Sequence, residues 1–405
     1  VALAPDQEYD EAGCFSGTGL DTENGHLLVY TGVMEKEENG LKKTYQNQCV
    51  AIGDGTDYRK ADNNPVITGD MMPTGFSRED FRDPKIWREE DGYYLLAGNK
   101  TDEGIPQVVL FYSDNLEDWQ YVSVLAKDLD GKLGTMWECP DFFSLNGEYG
   151  LLISPQNMMA GNEFHNGNNV AFLSGKYDKK RHIFQYDKAI SVDEGLDFYA
   201  PQTLEMPDGR RIMIGWMQSW DSNIRPENQK WSGMMSLPRE LQIIDGKLIQ
   251  SPVKEMENYY ADTVNYTNQE IAGECQLSRI GGRTVDMTIE ILSGELSEFC
   301  IQFAANEKYR TFITYDKIKN TLEFDRTYSG MVRDTISSRR VAIKAPKESL
   351  KLRFVLDKYS AEIFVNDGEQ VLSSTFYTPM DAEEIHFGCD GVAVTNIEKH
   401  AIAVD

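Results

Sequence analysis

Four Asn-Gly or Asp-Gly pairs constrain this chain more than any other feature. They end at Gly25, Gly92, Gly147 and Gly209, spaced 67, 55 and 62 residues apart. Each is followed by an apolar strand candidate: His26 to Tyr30, Tyr93 to Ala97, Tyr149 to Ser154, and Arg211 to Trp216. Such pairs populate the positive-φ positions of tight turns and are the strongest short-range hairpin signal. Further strand candidates lie between them, including Gln107 to Tyr112 and Val170 to Leu173, and convincing amphipathic helices are hard to find. An all-β chain is expected, built from repeated units of three or four strands, the size of β-propeller blades.

Nine residues before each glycine stand Ser16, Asp83, Glu138 and Ala200. The first strand of a propeller blade lines the central channel, so positions at one register converge near the axis. Two acids at a shared register, beside Arg82, Trp137 and Tyr199, predict a two-carboxylate site. Such a pair suits glycoside hydrolysis, in which one acid is protonated and the other ionised. Packing against Trp137 would disfavour the charged form of Glu138, and Arg82 would favour it at Asp83. That predicts Glu138 as the acid and Asp83 as the standing anion. Phe15, Tyr199, Trp216 and Trp220 could stack on sugar faces.

After Ser236-Leu237-Pro238-Arg239-Glu240 the repeat stops. Alternating strands resume at Val285 to Leu292, Phe299 to Ala304, Tyr309 to Tyr315, Leu350 to Leu356, Ala361 to Val365 and Val371 to Phe376, with a turn at Asn366-Asp367-Gly368. This predicts a propeller domain over residues 1–250, a linker over 251–262 and a β-sandwich over 263–405. The sandwich is expected to be structural, with glycan binding as its alternative.

Forty Lys and Arg against 66 Asp and Glu give a net charge of −26. That argues against nucleic acid or an anionic membrane as partner and suits a neutral sugar. The six cysteines contain no Cys-x-x-Cys and the five histidines never recur at i, i+4, so neither a metal nor a cofactor is expected. Dinucleotide and P-loop fingerprints and the Gly-x-Ser-x-Gly elbow are absent. No apolar run approaches 18 residues and no secretory leader is visible, which sets a cytoplasmic expectation.

Several motifs together resemble glycoside hydrolase family 32, the β-fructofuranosidases. They are Tyr9-Asp10-Glu11-Ala12-Gly13-Cys14-Phe15-Ser16-Gly17, Phe81-Arg82-Asp83-Pro84, Trp137-Glu138-Cys139-Pro140-Asp141, Asp197-Phe198-Tyr199-Ala200-Pro201-Gln202, Gly215-Trp216-Met217, the run Met235 to Leu241, and Glu362 to Gly368. The resemblance implies a five-bladed β-propeller followed by a C-terminal β-sandwich. It also implies release of terminal β-fructofuranosyl units from sucrose or fructo-oligosaccharides with retention. Glu138 then matches the acid/base and Asp83 the transition-state stabiliser, while Phe15, Ser16, Arg82, Cys139, Tyr199 and Trp216 match the fructose pocket. The family's nucleophile lies in a first-blade Trp-Met-Asn-Asp-Pro-Asn-Gly motif, and no Asp-Pro-Asn-Gly occurs here. Four blade starts where five are implied predict that the first blade is missing, leaving the chain inactive or weak. A non-catalytic fructan-binding protein is the alternative.

Overall fold

The computed structural model describes residues 1–161, 164–222, 229–330, 335–344 and 349–403. Its described regular structure is all β apart from three short 3-10 turns. The chain divides into two compact units, Val1–Ile190 and Ser191–Asp405.

The first unit holds three antiparallel four-stranded sheets, each ordered as its strands follow in sequence. The first comprises β1 (Gly13–Thr22), β2 (Gly25–Glu38), β3 (Leu41–Gly53) and β4 (Tyr58–Lys60). The second comprises β5 (Phe76–Glu89), β6 (Gly92–Thr101), β7 (Pro106–Ser113) and β8 (Gln120–Lys127). The third comprises β9 (Met136–Leu145), β10 (Glu148–Gln156), β11 (Ala171–Asp178) and β12 (Ile183–Ser191). Because strand side chains alternate between faces, the second sheet buries both. Leu95, Ala97, Val109 and Phe111 pack with Leu27, Val29 and Val50 of the first sheet. Tyr94, Leu96, Val108 and Leu110 pack with Trp137, Leu151 and Ile153 of the third.

The second unit opens with a fourth antiparallel sheet, this one of five strands: β13 (Tyr199–Glu205), β14 (Arg211–Met217), the short β15 (Met234–Met235), which pairs only with β14, β16 (Arg239–Ile244) and β17 (Lys247–Pro252). A nine-stranded sheet follows, made of β18 (Tyr260–Cys275), β19 (Val285–Ala305), β20 (Thr311–Asp316), β21 (Thr321–Asp325), β22 (Ser338–Ala342), β23 (Leu350–Asp357), β24 (Ser360–Val365), β25 (Gln370–Thr375) and β26 (Glu384–Ile402). The two separate strands expected at 285–292 and 299–304 are one strand, β19, that serves both halves of this sheet. Its first half pairs with β23 and its second with β20, while β26 follows it throughout, with bulges at Ile291/Ser293, Leu296/Glu298 and Gln302/Ala305. Bulges bend and twist a strand, so the sheet curls upon itself. It encloses one core that includes Met287, Ile289, Phe303, Phe324, Phe354, Ile363 and Phe387.

The 251–262 stretch, read from the sequence as a linker, is structured. It carries the end of β17, a 3-10 turn at Lys254–Tyr259 and the start of β18. The boundary between compact units falls earlier, at Ser191, because the fourth sheet is bound tightly to the curled sheet. Fully buried Arg239 of β16 donates to Glu362 of β24, to Asp193, to Gln250 and to Ser373 at 2.6–3.0 Å.

Candidate active site

The first strand of every one of the four sheets is interrupted by a β-bulge at the same place. In β1 the register slips between Phe15 and Gly17, freeing Ser16. In β5 it slips between Arg82 and Lys85, freeing Asp83-Pro84. In β9 the slip frees Cys139-Pro140, and in β13 it frees Ala200-Pro201. Proline has no N–H to lose, so it is at home where the ladder breaks. The residue before it turns left-handed in all three cases: φ is 63° at Asp83, 47° at Cys139 and 51° at Ala200. Left-handed backbone costs a non-glycine residue roughly 1 kcal/mol. Its repetition marks a built feature that re-aims side chains.

The bulges correct the expected register. Asp83 is equivalent to Cys139, and Glu138 to Arg82 and Phe15, so the two acids stand one place apart. Counting from the glycines hid this. The second sheet's hairpin closes at Glu89–Gly92 around Glu90-Asp91, whereas the third closes at Leu145–Glu148 around Asn146-Gly147.

The structure brings Arg82, Asp83, Glu138 and Cys139 together, all buried. Arg82 Nε donates to Glu138 Oε1 at 2.9 Å, and Arg82 Nη1 donates to Asp80 Oδ1 at 3.1 Å. Asp83 Oδ2 accepts the Cys139 backbone N–H at 3.0 Å, with the Cys139 thiol at 3.7 Å. Burial, and then the Glu138 charge, push the Asp83 carboxyl up to about 6, against the pull of Arg82 and the Cys139 donors. Burial and the same two carboxylates hold the Cys139 thiol protonated, well above its ordinary range. The side chain that Arg82 contacts directly is thus Glu138, not Asp83 as expected. Trp137 is fully buried in the core between the second and third sheets, with its indole N–H on Leu133 O at 2.8 Å. Adjacent strand residues face opposite ways, so it cannot supply the packing expected around Glu138.

Phe15 and Ser16, both exposed, sit at the equivalent bulge of β1. This bulge is tied to that of β5 through Thr18, whose hydroxyl donates to Pro84 O at 3.0 Å and accepts from the Ile86 N–H at 3.1 Å. Tyr199 and Trp216 belong to the second unit, where they are cross-strand partners. Tyr199 is fully buried and Trp216 half-buried, packed edge-to-face on the exposed Trp220 with centroids 5.3 Å apart.

Sequence reasoning missed Thr31, Gln46 and Gln48. All three are buried on the face of the first sheet that also carries Leu27, Val29 and Val50. A polar residue at a core-parity position of an otherwise apolar alternation was the signal that could have found them.

Comparison with known proteins identifies the family. Residues 1–252 match the glycosyl hydrolases family 32 N-terminal domain, and residues 255–403 the family's C-terminal domain. The chain is 34% identical to a sucrose-6-phosphate hydrolase of Escherichia coli over 402 residues, covering 97% of this chain and 80% of that protein. It is 33% identical to a raffinose invertase of Escherichia coli over 397 residues, covering 95% and 79% of the two chains. Among solved structures, a β-fructofuranosidase of Bombyx mori superposes with a TM-score of 0.81 at 28% identity, covering 99% of this chain and 81% of that one. A variant of that Bombyx enzyme has been solved in complex with sucrose. Matched along nearly its whole length, the chain belongs to glycoside hydrolase family 32.

Proposed function

We propose that this protein hydrolyses sucrose and related fructosides at the terminal β-fructofuranosyl unit, with retention, using Glu138 as acid/base and Asp83 as transition-state stabiliser. The observation carrying this reading is the buried Arg82–Glu138 and Asp83–Cys139 constellation, set on paired bulges of two packed sheets. Glu138 gives its proton to the leaving-group oxygen as the fructosyl C–O bond breaks. A nucleophilic carboxylate takes the anomeric carbon, and Glu138 then accepts a proton from the water that releases fructose. Asp83, ionised, accepts hydrogen bonds from fructose hydroxyls. These strengthen as positive charge builds on the ring. Phe15, Ser16 and Cys139 of the first unit shape the fructose pocket. Arg82 holds Glu138 in place before substrate arrives.

No Asp-Pro-Asn-Gly motif lies within the 405 residues. We therefore expect these residues alone to cleave sucrose weakly. Fructose release should be measured for the 405-residue chain, the full gene product and its Glu138→Gln variant. The full product should be active and the variant slower by about 100-fold or more, the usual loss on removing a general acid. Wild-type turnover by the variant would defeat the assignment. Sucrose binding without turnover by the full product would identify a fructan-binding protein instead.

A further inference from the structure

Asp83 is the one proposed catalytic group whose own backbone lies in a break of the ladder. Its N–H has no partner strand, its φ is 63°, and the following proline donates nothing. Left alone, this segment would relax away from a costly conformation. It is held instead by side chains of the first sheet. The Asp83 N–H donates to Thr31 Oγ1 at 3.0 Å. The Thr31 hydroxyl donates in turn to Gln48 Oε1 at 2.9 Å, and Gln48 Nε2 donates to Phe81 O at 2.8 Å. Gln46 Oε1 accepts the Phe81 N–H at 2.9 Å and reaches Arg82 Nη1 at 3.4 Å.

The direction of this chain is fixed by its end. Phe81 O can only accept, so Gln48 must turn its NH2 towards it and its oxygen towards Thr31. Thr31 then spends its one proton on Gln48 and presents a lone pair to Asp83. Thr31 and Gln48 have no solvent exposure and Gln46 only 7%. Water therefore offers no ready substitute, and a broken link leaves a buried donor unsatisfied. The three side chains do for Phe81 to Asp83 what a neighbouring strand does elsewhere.

We infer that Thr31, Gln48 and Gln46 are positioning residues for the reaction: a polar clamp from the first sheet that fixes the Asp83 carboxylate and the Arg82 guanidinium on the second. This rests on the reading of Asp83 as transition-state stabiliser. Thr31→Val keeps the shape of the side chain and removes its acceptor. In the full gene product it should lower kcat for sucrose by about 10- to 100-fold while KM changes less than about threefold, since small misplacements of a catalytic group act on the transition state. Thr31→Ser should restore kcat to near wild type. Gln48→Glu, which sets an acceptor against Phe81 O, should reproduce the kcat loss should Thr31→Val fold poorly. Hydrogen exchange of the 76–89 peptide should quicken in Thr31→Val whatever the activity. A wild-type kcat in Thr31→Val, or a Thr31→Ser variant as impaired as Thr31→Val, would overturn the clamp. Faster exchange in a protein whose wild type cleaves no fructoside would leave the clamp standing and remove the fructosidase reading.

Discussion

Asp83 carries an electrostatic cost that can be measured. Its carboxyl is raised from the ordinary 3.8 to about 6, chiefly by burial and by Glu138. The native state therefore holds this proton more tightly than the unfolded chain does. The group's contribution to stability falls as pH rises from about 4 to about 6, and the deficit is complete above that. Asp83→Asn removes the deficit and keeps a residue that tolerates the left-handed backbone. It should raise stability at pH 8 by about 1–3 kcal/mol and by much less at pH 4, read from urea unfolding at the two pH values. Sucrose hydrolysis should fall in the same variant, because the anion facing the developing positive charge is gone. For the wild type, an acid limb near pH 6 is expected in kcat/KM as Asp83 ionises. The Trp-Glu-Cys-Pro and Arg-Asp-Pro motifs made these residues legible in the sequence. The partner of each charge was not legible, because Arg82 and Glu138 are 56 residues apart and meet only across two sheets.

At the scale of elements, the second and third sheets approach closely beside the site. Gly98 of β6 lies opposite Arg82 in the ladder, and a Cβ there would stand 2.2 Å from Trp137 O of β9. A backbone carbonyl cannot swing aside as a side chain can. Gly98→Ala must separate β6 from β9, and with them the Arg82–Glu138 bond that joins β5, the ladder partner of β6, to β9. Overpacking of this kind costs about 1–3 kcal/mol, so the midpoint of thermal unfolding should drop, with kcat falling further than the unfolded fraction accounts for. The hairpins and their apolar alternation were readable from turn residues and period-2 patterning. The bulges were not, since Pro84, Pro140 and Pro201 signal a break without saying which residue it re-aims.

For the whole molecule, the second unit is held by a buried charge cluster centred on Arg239. Asp193 and Glu362 share its guanidinium, and Phe198 lies 4.5 Å beneath it. Removing one partner of such a cluster leaves an uncompensated buried charge. Glu362→Ala should destabilise the protein by about 3–5 kcal/mol, read as a lower urea midpoint. Local sequence determined the all-β class, the four hairpin-led sheets and the motifs that carry Asp83 and Glu138, because turn chemistry and side-chain alternation act within a few residues. Only the tertiary structure decided that the acids stand one register apart, that Arg82 serves Glu138, that Thr31, Gln46 and Gln48 secure Asp83, and that the fourth sheet joins the curled sheet in one unit. Each of these is a meeting of side chains far apart in the chain, set by bulges and sheet packing that no local pattern encodes.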